Sequence, residues 1–284
     1  MHPDTVSQLD ILKLAYYEIL NGYTYNPDPP IFVKHFTEKE SHLLLVKRLE
    51  LNKFYAASEV PTEKQLLQNA LESGEWTQIK EDKILELKYI LSDNEKLIHD
   101  IIPEQRGWIE SQLAKHRKDL AEICSERKAV LGRSIEDLTD EDVDDFISFI
   151  SCFKDEKLTI QLADSYDDFQ EMDMSQLSTY SRILSSVYSR FGEESIKQLA
   201  CMPFLLNKLS HCKEDVYGFF GKPLIELSHN QIHLISLGIK NLNTLNRAEG
   251  SPPDLNLEGT IQQVTSWYDM QFSMQLAKSK QSSK

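Results

Sequence analysis

Two histidines one helical turn apart come closest to a metal-ligand pattern in this sequence. His229 and His233 have the i, i+4 spacing of the zinc ligands on metalloprotease helices. Asn230 stands where such a helix carries its general-base glutamate, so a bound water would have no carboxylate to accept its proton. The spacing therefore predicts an ordinary surface or core histidine pair, with incidental metal binding as the alternative.

An acidic run from Asp164 to Asp173 invites comparison with a calcium-binding EF-hand loop. Such a loop needs glycine at its sixth position and glutamate at its twelfth, and this run has Phe169 and Ser175 there. We therefore predict a solvated acidic surface or, alternatively, a docking patch for a basic partner.

The remaining chemical candidates are a glycine-containing segment and four cysteines. In Gly218–Pro223 the rings of Phe219 and Phe220 fill the space that a bound phosphate would need, so we predict a turn that places both rings in the core. The cysteines have no CxxC spacing, which favours small buried thiols over metal ligands. They are Cys124, Cys152, Cys201 and Cys212. The sequence thus predicts no catalytic residue, no metal site and no cofactor.

The net charge of −14 is concentrated in one segment. Residues 134–175 contain 14 acidic side chains and two lysines, whereas the rest of the chain contains 31 acidic and 29 basic side chains. Because no dominant basic stripe is present, we expect no direct binding to nucleic acid. Four aspartates near the start of an acidic helix are candidate contacts for a basic partner. They are Asp140, Asp142, Asp144 and Asp145.

Helices are the elements that would position these residues. Apolar side chains recur with a helical period, only ten glycines occur, and no strand pattern stands out. Five helix starts are marked by a hydroxyl cap with an acid or amide three residues later. These pairs are Thr37/Glu40, Thr62/Gln65, Ser134/Asp137, Thr139/Asp142 and Ser228/Gln231. The predicted fold is all-α, a multi-helix bundle with a protruding antiparallel helical hairpin.

Composition and charge divide the chain into four predicted regions. Residues 1–74 form an N-terminal helical region, 75–133 a long antiparallel hairpin, and 134–250 an acidic-fronted helical bundle. Residues 251–284 form a linker, an amphipathic helix and a loose polar tail. The apolar stripes of the two hairpin helices are sparse, which indicates a thin seam of the coiled-coil type.

Two further surfaces are predicted to contact partner proteins. Residues 23–30 are rich in proline and form an extended loop with Tyr23 and Tyr25, which either covers the core or binds a partner. The last helix, about residues 257–277, has a predicted core face that includes Phe272 and Leu276. Another face of this helix carries the candidate contacts Trp267, Met270 and Met274.

Hydropathy indicates no membrane-spanning segment. The mean hydropathy is −0.41, and no apolar run approaches the ~18 residues that cross a bilayer. The first residues lack the basic and apolar stretches of a secretory signal. We therefore expect a cytoplasmic protein.

Four segments resemble proteins of contractile-tailed bacteriophages. ESGEWT (residues 72–77) and RKAVLGRS (127–134), which flank the hairpin, resemble helical proteins encoded among the tail genes. FFGKP (219–223) and Leu227–Gly238 resemble segments of phage tail-assembly chaperones and baseplate-hub assembly proteins. The resemblance implies assembly of tails or virions by contact with other protein subunits, in the host cytoplasm or in the virion.

Three hypotheses of function follow. The leading one is a non-enzymatic protein–protein interaction factor, in its specific form a phage tail or baseplate assembly chaperone or a virion component. The alternative is an acidic regulatory adaptor that sequesters a basic or nucleic-acid-binding partner through residues 134–175, with binding that weakens as salt increases. A helical enzyme of unfamiliar type ranks third, because no catalytic motif supports it.

Overall fold

The computed structural model describes residues 8–97, 103–213, 215–253 and 260–282. Within them lie thirteen α-helices and three short strands, which confirms the predicted all-α, multi-helix class. The helices are α1 (Gln8–Asn21), α2 (Glu38–Ala57), α3 (Glu63–Ser73), α4 (Gln78–Leu97), α5 (Pro103–Leu131), α6 (Ile135–Ser151), α7 (Tyr166–Gln170), α8 (Met174–Arg190), α9 (Glu193–Ala200), α10 (Pro203–His211), α11 (Val216–Phe220), α12 (His229–Arg247) and α13 (Thr260–Ser282). The strands are β1 (Tyr23–Pro27), β2 (Pro30–Lys34) and β3 (Cys152–Phe153), and a 3₁₀ turn covers Leu224–Glu226.

Helix ends differ from the prediction at a few places. The predicted beginning of the last helix, at about residue 257, lies outside the described residues. The last helix, α13, continues to Ser282, well into the tail that was predicted to be loose.

The chain groups into two compact units. The first unit comprises Met1–Val46 and Asp144–Lys284, and the second comprises Lys47–Val143. The boundaries fall inside α2 and α6, so each of these helices contributes residues to both units. The four regions drawn from composition remain a prediction.

Four of the five predicted cap pairs begin helices. Thr62/Gln65 and Ser228/Gln231 form complete capping boxes, in which side chain and backbone bond reciprocally. Before α2 and α6, the hydroxyls of Thr37 and Ser134 each accept from a backbone N–H of the first helical turn. The carboxylates of Glu40 and Asp137 accept in return from the backbone N–H groups of Thr37 and Ser134. Thr139 was wrongly predicted as a cap, because α6 begins one turn earlier; its hydroxyl instead donates to Asn52 Oδ1 at 2.9 Å.

A small antiparallel sheet replaces the predicted loop at residues 23–30. Strands β1 and β2 pair from Tyr23 with Lys34 to Pro27 with Pro30, and β3 adds Cys152 opposite Val33. The prolines stand at the turn end of the hairpin, where a missing N–H costs no ladder bond. The alternating burial of Ile31 and Val33 is a strand signal, but five residues between prolines and charges were too few to reveal it.

The core of the first unit surrounds α12, which packs against α9, α10 and α13. Its contact with α10 is close because position 238 is glycine: a Cβ there would lie 2.6 Å from Leu209 Cδ1. Leu205 and Leu234 are among the fully buried side chains of this core.

The beginning of α12 is joined to the end of α1 through a buried glutamine. Gln231 is 2% exposed; its Oε1 accepts from the Ser228 N–H at 2.8 Å, and its Nε2 donates to the Leu20 carbonyl at 3.1 Å. Nearby, the His229 N–H donates to the Phe36 carbonyl at 2.8 Å. These bonds attach α1 and the strand hairpin to the C-terminal helices.

The second unit contains the predicted helical hairpin, with α4 and α5 antiparallel. Its seam consists of the buried Leu87, Leu91 and Leu113, in agreement with the sparse stripes of the sequence. At the end near α3, the guanidinium of Arg127 donates to Glu81 at 2.6 Å and also pairs with Glu63. Trp76 Nε1 donates to the same Glu81 oxygen at 2.8 Å, so one carboxylate fixes both a helix and a buried indole.

Replacement of Gln231 by methionine tests the α1–α12 junction. We expect Gln231→Met to lower the free energy of unfolding by about 2–4 kcal/mol, because it leaves the Ser228 N–H and the Leu20 carbonyl buried and unpaired. Gln65→Met is the matched control, since Gln65 has the same position in an exposed capping box and should cost at most about 1 kcal/mol. Hydrogen exchange of the slowest amides in each unit measures both values. Equal losses would contradict a special role for Gln231.

Candidate docking surface

The histidine pair lies at the beginning of α12. His229 Nε2 lies 2.8 Å from Ser41 Oγ, and His233 points to solvent from the next turn. No group of three or more histidine, cysteine or carboxylate side chains is placed to hold a metal ion within the described residues. The pair therefore contributes a hydrogen bond between α12 and α2.

The two loop-like candidates are both short helices with a phenylalanine anchor. Ser165 caps α7 by accepting from the Asp168 N–H at 3.1 Å, and Phe169 is fully buried. Asp215 caps α11 in the same way, and Phe219 is buried as predicted, whereas Phe220 is half-buried. Residues 218–220 of the predicted turn are thus the end of α11, and the chain turns after them at Gly221.

The acidic side chains at the beginning of α6 have structural partners in the second unit. Asp140 pairs with Arg48 at 2.5 Å, and Asp142 accepts from the Tyr55 hydroxyl at 2.5 Å. Burial and this carboxylate together raise the pKa of Tyr55 to about 12. Asp144 and Asp145 have interactions of their own as well. These carboxylates stabilise the fold around α6, so binding of a basic partner would have to compete with existing bonds.

A shallow groove of about 400 Å³ lies in the first unit beside α8. Phe36, Leu184 and Tyr188 form its apolar lining, with the hydroxyls of Ser181 and Ser185. The Tyr188 hydroxyl points away, toward the Lys34 carbonyl at 3.4 Å, and burial raises its pKa. Asp144 and Ile147 complete the lining, so the groove presents one carboxylate among apolar and hydroxyl groups.

Of the two predicted tyrosine contacts on β1, one is engaged and one is presented to solvent. The Tyr23 hydroxyl donates to Glu156 at 2.6 Å, and this bond raises the pKa of Tyr23 to about 12. Tyr25 is exposed and rests on Phe32 with ring centroids 4.9 Å apart. Tyr25 is therefore the tyrosine of this pair whose ring is accessible.

The last helix, α13, presents an uncharged apolar surface. Met270 and Met274 are 51% and 47% exposed, and Trp267 is half-buried, edge-on to Tyr268 at 5.0 Å. Next to them is a groove of about 480 Å³. Its lining is Pro253, Gln262, Gln263, Ser266, Trp267 and Met270. We call Trp267, Met270 and Met274, with this groove, the α13 surface.

The buried face of α13 differs in part from the prediction. Val264 and Tyr268 face the core. The buried stripe then continues through Gln271, which is also buried. Phe272 is exposed beneath the ammonium of Lys240 at 3.7 Å, and Leu276 is exposed too. The helical period favours positions 264, 268, 271 and 275 over 272 and 276. Gln275 donates to the Thr244 carbonyl at 2.9 Å, so amides at positions 271 and 275 take the core-facing role that was predicted for Phe272 and Leu276.

The groove residues beside the three predicted contacts were missed by the sequence reasoning. Their helical spacing from Met270 was visible, but glutamine and serine give no sign of a groove until Pro253 is placed beside them.

Comparison with known proteins adds no relative: no family model, no curated protein and no solved structure matches this chain. Each helix in the described part of the chain is too short or too polar to cross a bilayer.

The four cysteines provide a direct test of the described core. All four are free; Cys152 and Cys201 are buried, and burial raises the pKa of both thiols to about 12, whereas Cys124 and Cys212 are half-buried. We expect two thiols per chain to react with a colorimetric disulfide reagent at pH 8 in the native state, and all four after unfolding. Peptide mapping identifies them. Fast labelling of Cys152 or Cys201 would contradict the described packing.

Proposed function

We propose that the protein is a non-enzymatic protein–protein interaction factor that binds another protein subunit through its α13 surface. The observation that carries this proposal is the pair of exposed methionines beside an apolar groove on one helix face. Methionine adapts to different partners because its side chain is flexible and polarizable. Because each methionine is already half covered, burial of the rest would contribute about half of the ~1.5–3 kcal/mol that full burial of an exposed methionine gives.

The chemistry of the surface supports a partner held by apolar contact. Asp269 is the single charged residue in the sequence from position 260 to 277, although the whole chain has a net charge of −14. Binding through such a surface depends little on salt, because few counterions are displaced. The acidic adaptor makes the opposite prediction, and its aspartates at positions 140 and 142 are engaged within the second unit.

The ionisable clusters support binding rather than catalysis. Arg127 with its two glutamates fixes the end of the hairpin, and the carboxylates of α6 fix the helices around it. Their geometry is that of structural ion pairs, with hydrogen-bonding capacity used within the fold.

The specific form of the proposal is an assembly factor for a contractile phage tail or baseplate, or a component of the virion. Its support is the resemblance of residues 72–77, 127–134, 219–223 and 227–238. In the structure these segments contain helix ends: Gly74 and Gly132 follow α3 and α5 with positive φ, and Gly221 follows α11. Under this proposal the protein acts in the host cytoplasm or in the particle.

Charge introduced into the α13 surface tests the proposal. The double variant Met270→Asp, Met274→Asp should bind a co-expressed tail or baseplate protein at least about 10-fold more weakly, because it removes roughly 1.5–3 kcal/mol of apolar burial. Met174→Asp is the matched control, since Met174 is 78% exposed on α8. Size-exclusion chromatography and calorimetry measure the complexes.

Two outcomes would contradict the proposal. One is a double variant that binds as tightly as the natural chain. The other is binding that falls steeply with salt and disappears when Asp140, Asp142, Asp144 and Asp145 are changed to asparagine, which would favour the acidic adaptor.

A further inference from the structure

His35 follows β2 directly and is buried in the first unit without a full set of hydrogen bonds. The residue is 1% exposed, and its ring packs edge-on against Phe191 at 4.7 Å. Its Nε2 lies 3.0 Å from Thr24 Oγ1 on β1, and its backbone N–H donates to the Gly22 carbonyl at 2.8 Å. Its Nδ1 is buried with no hydrogen-bond partner. A second proton on this ring would therefore be enclosed and unpaired.

The groups around His35 do not supply a carboxylate to the ring. Glu18 of α1 bonds the Thr24 hydroxyl and lies 3.4 Å from Arg190 of α8, so its carboxylate is engaged by these two groups. Arg190 itself adds positive potential at the imidazole. Lys34, the neighbour on β2, pairs with Glu40 at 2.6 Å. From α12 the uncharged amide of Gln231 lies beside Gly22, since a Cβ added to that glycine would be 3.6 Å from Gln231 Nε2.

We propose that His35 is an acid-sensitive latch, whose protonation releases the β1–β2 hairpin from the helices of the first unit. The ring bonds Thr24 of β1 within the hairpin and packs against Phe191 after α8, and the backbone N–H of the same residue bonds Gly22 at the end of α1, so His35 joins the two strands to both helices. Release also opens β2 from β3, because Val33 lies opposite Cys152 in the sheet. The device is independent of the α13 surface and goes beyond the proposed function.

The direction of the pH effect follows from proton uptake. Burial, with a smaller effect of Arg190, lowers the pKa of His35 from 6.5 to about 4, so the released form binds more protons between these pH values. Stability of the latch is complete above pH 6.5 and falls as the pH approaches 4. Release should become roughly 20-fold more favourable from pH 7 to pH 5. Burial raises the pKa of Glu18, which acts in the opposite direction and is common to all variants below.

Two buried thiols allow local release to be distinguished from global unfolding. Cys152 on β3 becomes accessible when β2 leaves, whereas Cys201 lies between α9 and α12, where Asn241 Nδ2 contacts its sulfur at 3.3 Å. The full chain is labelled with 4,4′-dithiodipyridine between pH 7.5 and 4.5, and each rate is divided by that of the unfolded chain at the same pH. We expect the corrected Cys152 rate to rise about 20-fold from pH 7 to pH 5 while the Cys201 rate changes little.

A variant assigns the effect to His35. His35→Gln retains a group that bonds Thr24 but takes no proton, so its Cys152 rate should be nearly independent of pH; His233→Gln, at an exposed histidine of α12, should behave as the natural chain. Equal increases at Cys152 and Cys201 in the natural chain would overturn the proposal, as would an unchanged pH dependence in His35→Gln. If that variant does not fold, NMR titration of the natural chain decides: a folded imidazole that titrates near pH 6.5 overturns the latch.

Discussion

Gln231 joins parts of the chain that are 211 residues apart, and the first unit depends on that junction. One amide fulfils two requirements. Its oxygen completes the cap of α12, and its N–H donates to the Leu20 carbonyl near the end of α1. Both ends would otherwise leave polar groups buried without partners, at a cost of about 1–3 kcal/mol each. Hydrogen bonds at a buried helix end fix the direction of the helix as well as its position, because hydrogen bonds are directional.

The placement of the small sheet follows from this junction. Thr37 and Ser228 form an isolated antiparallel β-bridge, and the Phe36 carbonyl accepts from the His229 N–H. The segment after β2 is therefore held against the beginning of α12. Strands β1 and β2 are only five residues each, which is too short to be stable alone in water. Their stability comes from attachment at both ends and from burial of Val33 and His35. A hairpin held by so few contacts is a natural place for a local opening that leaves the helical core intact.

Local signals in the sequence were sufficient for most of the helices and for few of the long-range contacts. The Thr62 and Ser228 boxes were predictable because cap and partner are three residues apart. The same logic failed at Thr139, where two overlapping cap patterns competed and the earlier one, at Ser134, began the helix. The β1–β2 hairpin was missed because its strands are only five residues long, and β3 was missed because it pairs with β2 from more than a hundred residues away.

The candidate surfaces show the same limit. The acidic segment was visible as composition, but its partners Arg48 and Tyr55 lie about ninety residues earlier and carry no sign of the pairing. On α13 the methionines at 270 and 274 are exposed, while the phase of the buried stripe includes Gln271 and Gln275, and the hydrogen bond from Gln275 to the Thr244 carbonyl of α12 could not be read from hydropathy.

Charge and docking surface are thus separated in this chain, and the separation has a physical consequence. The carboxylates at positions 140 and 142 are satisfied inside the second unit, whereas the α13 surface contains apolar and neutral polar groups. A partner that covers Met270 and Met274 would displace water from apolar surface without stripping a charge of its hydration. The net charge of −14 would then affect long-range encounter with that partner, and the free energy of the complex would come from the fit to α13.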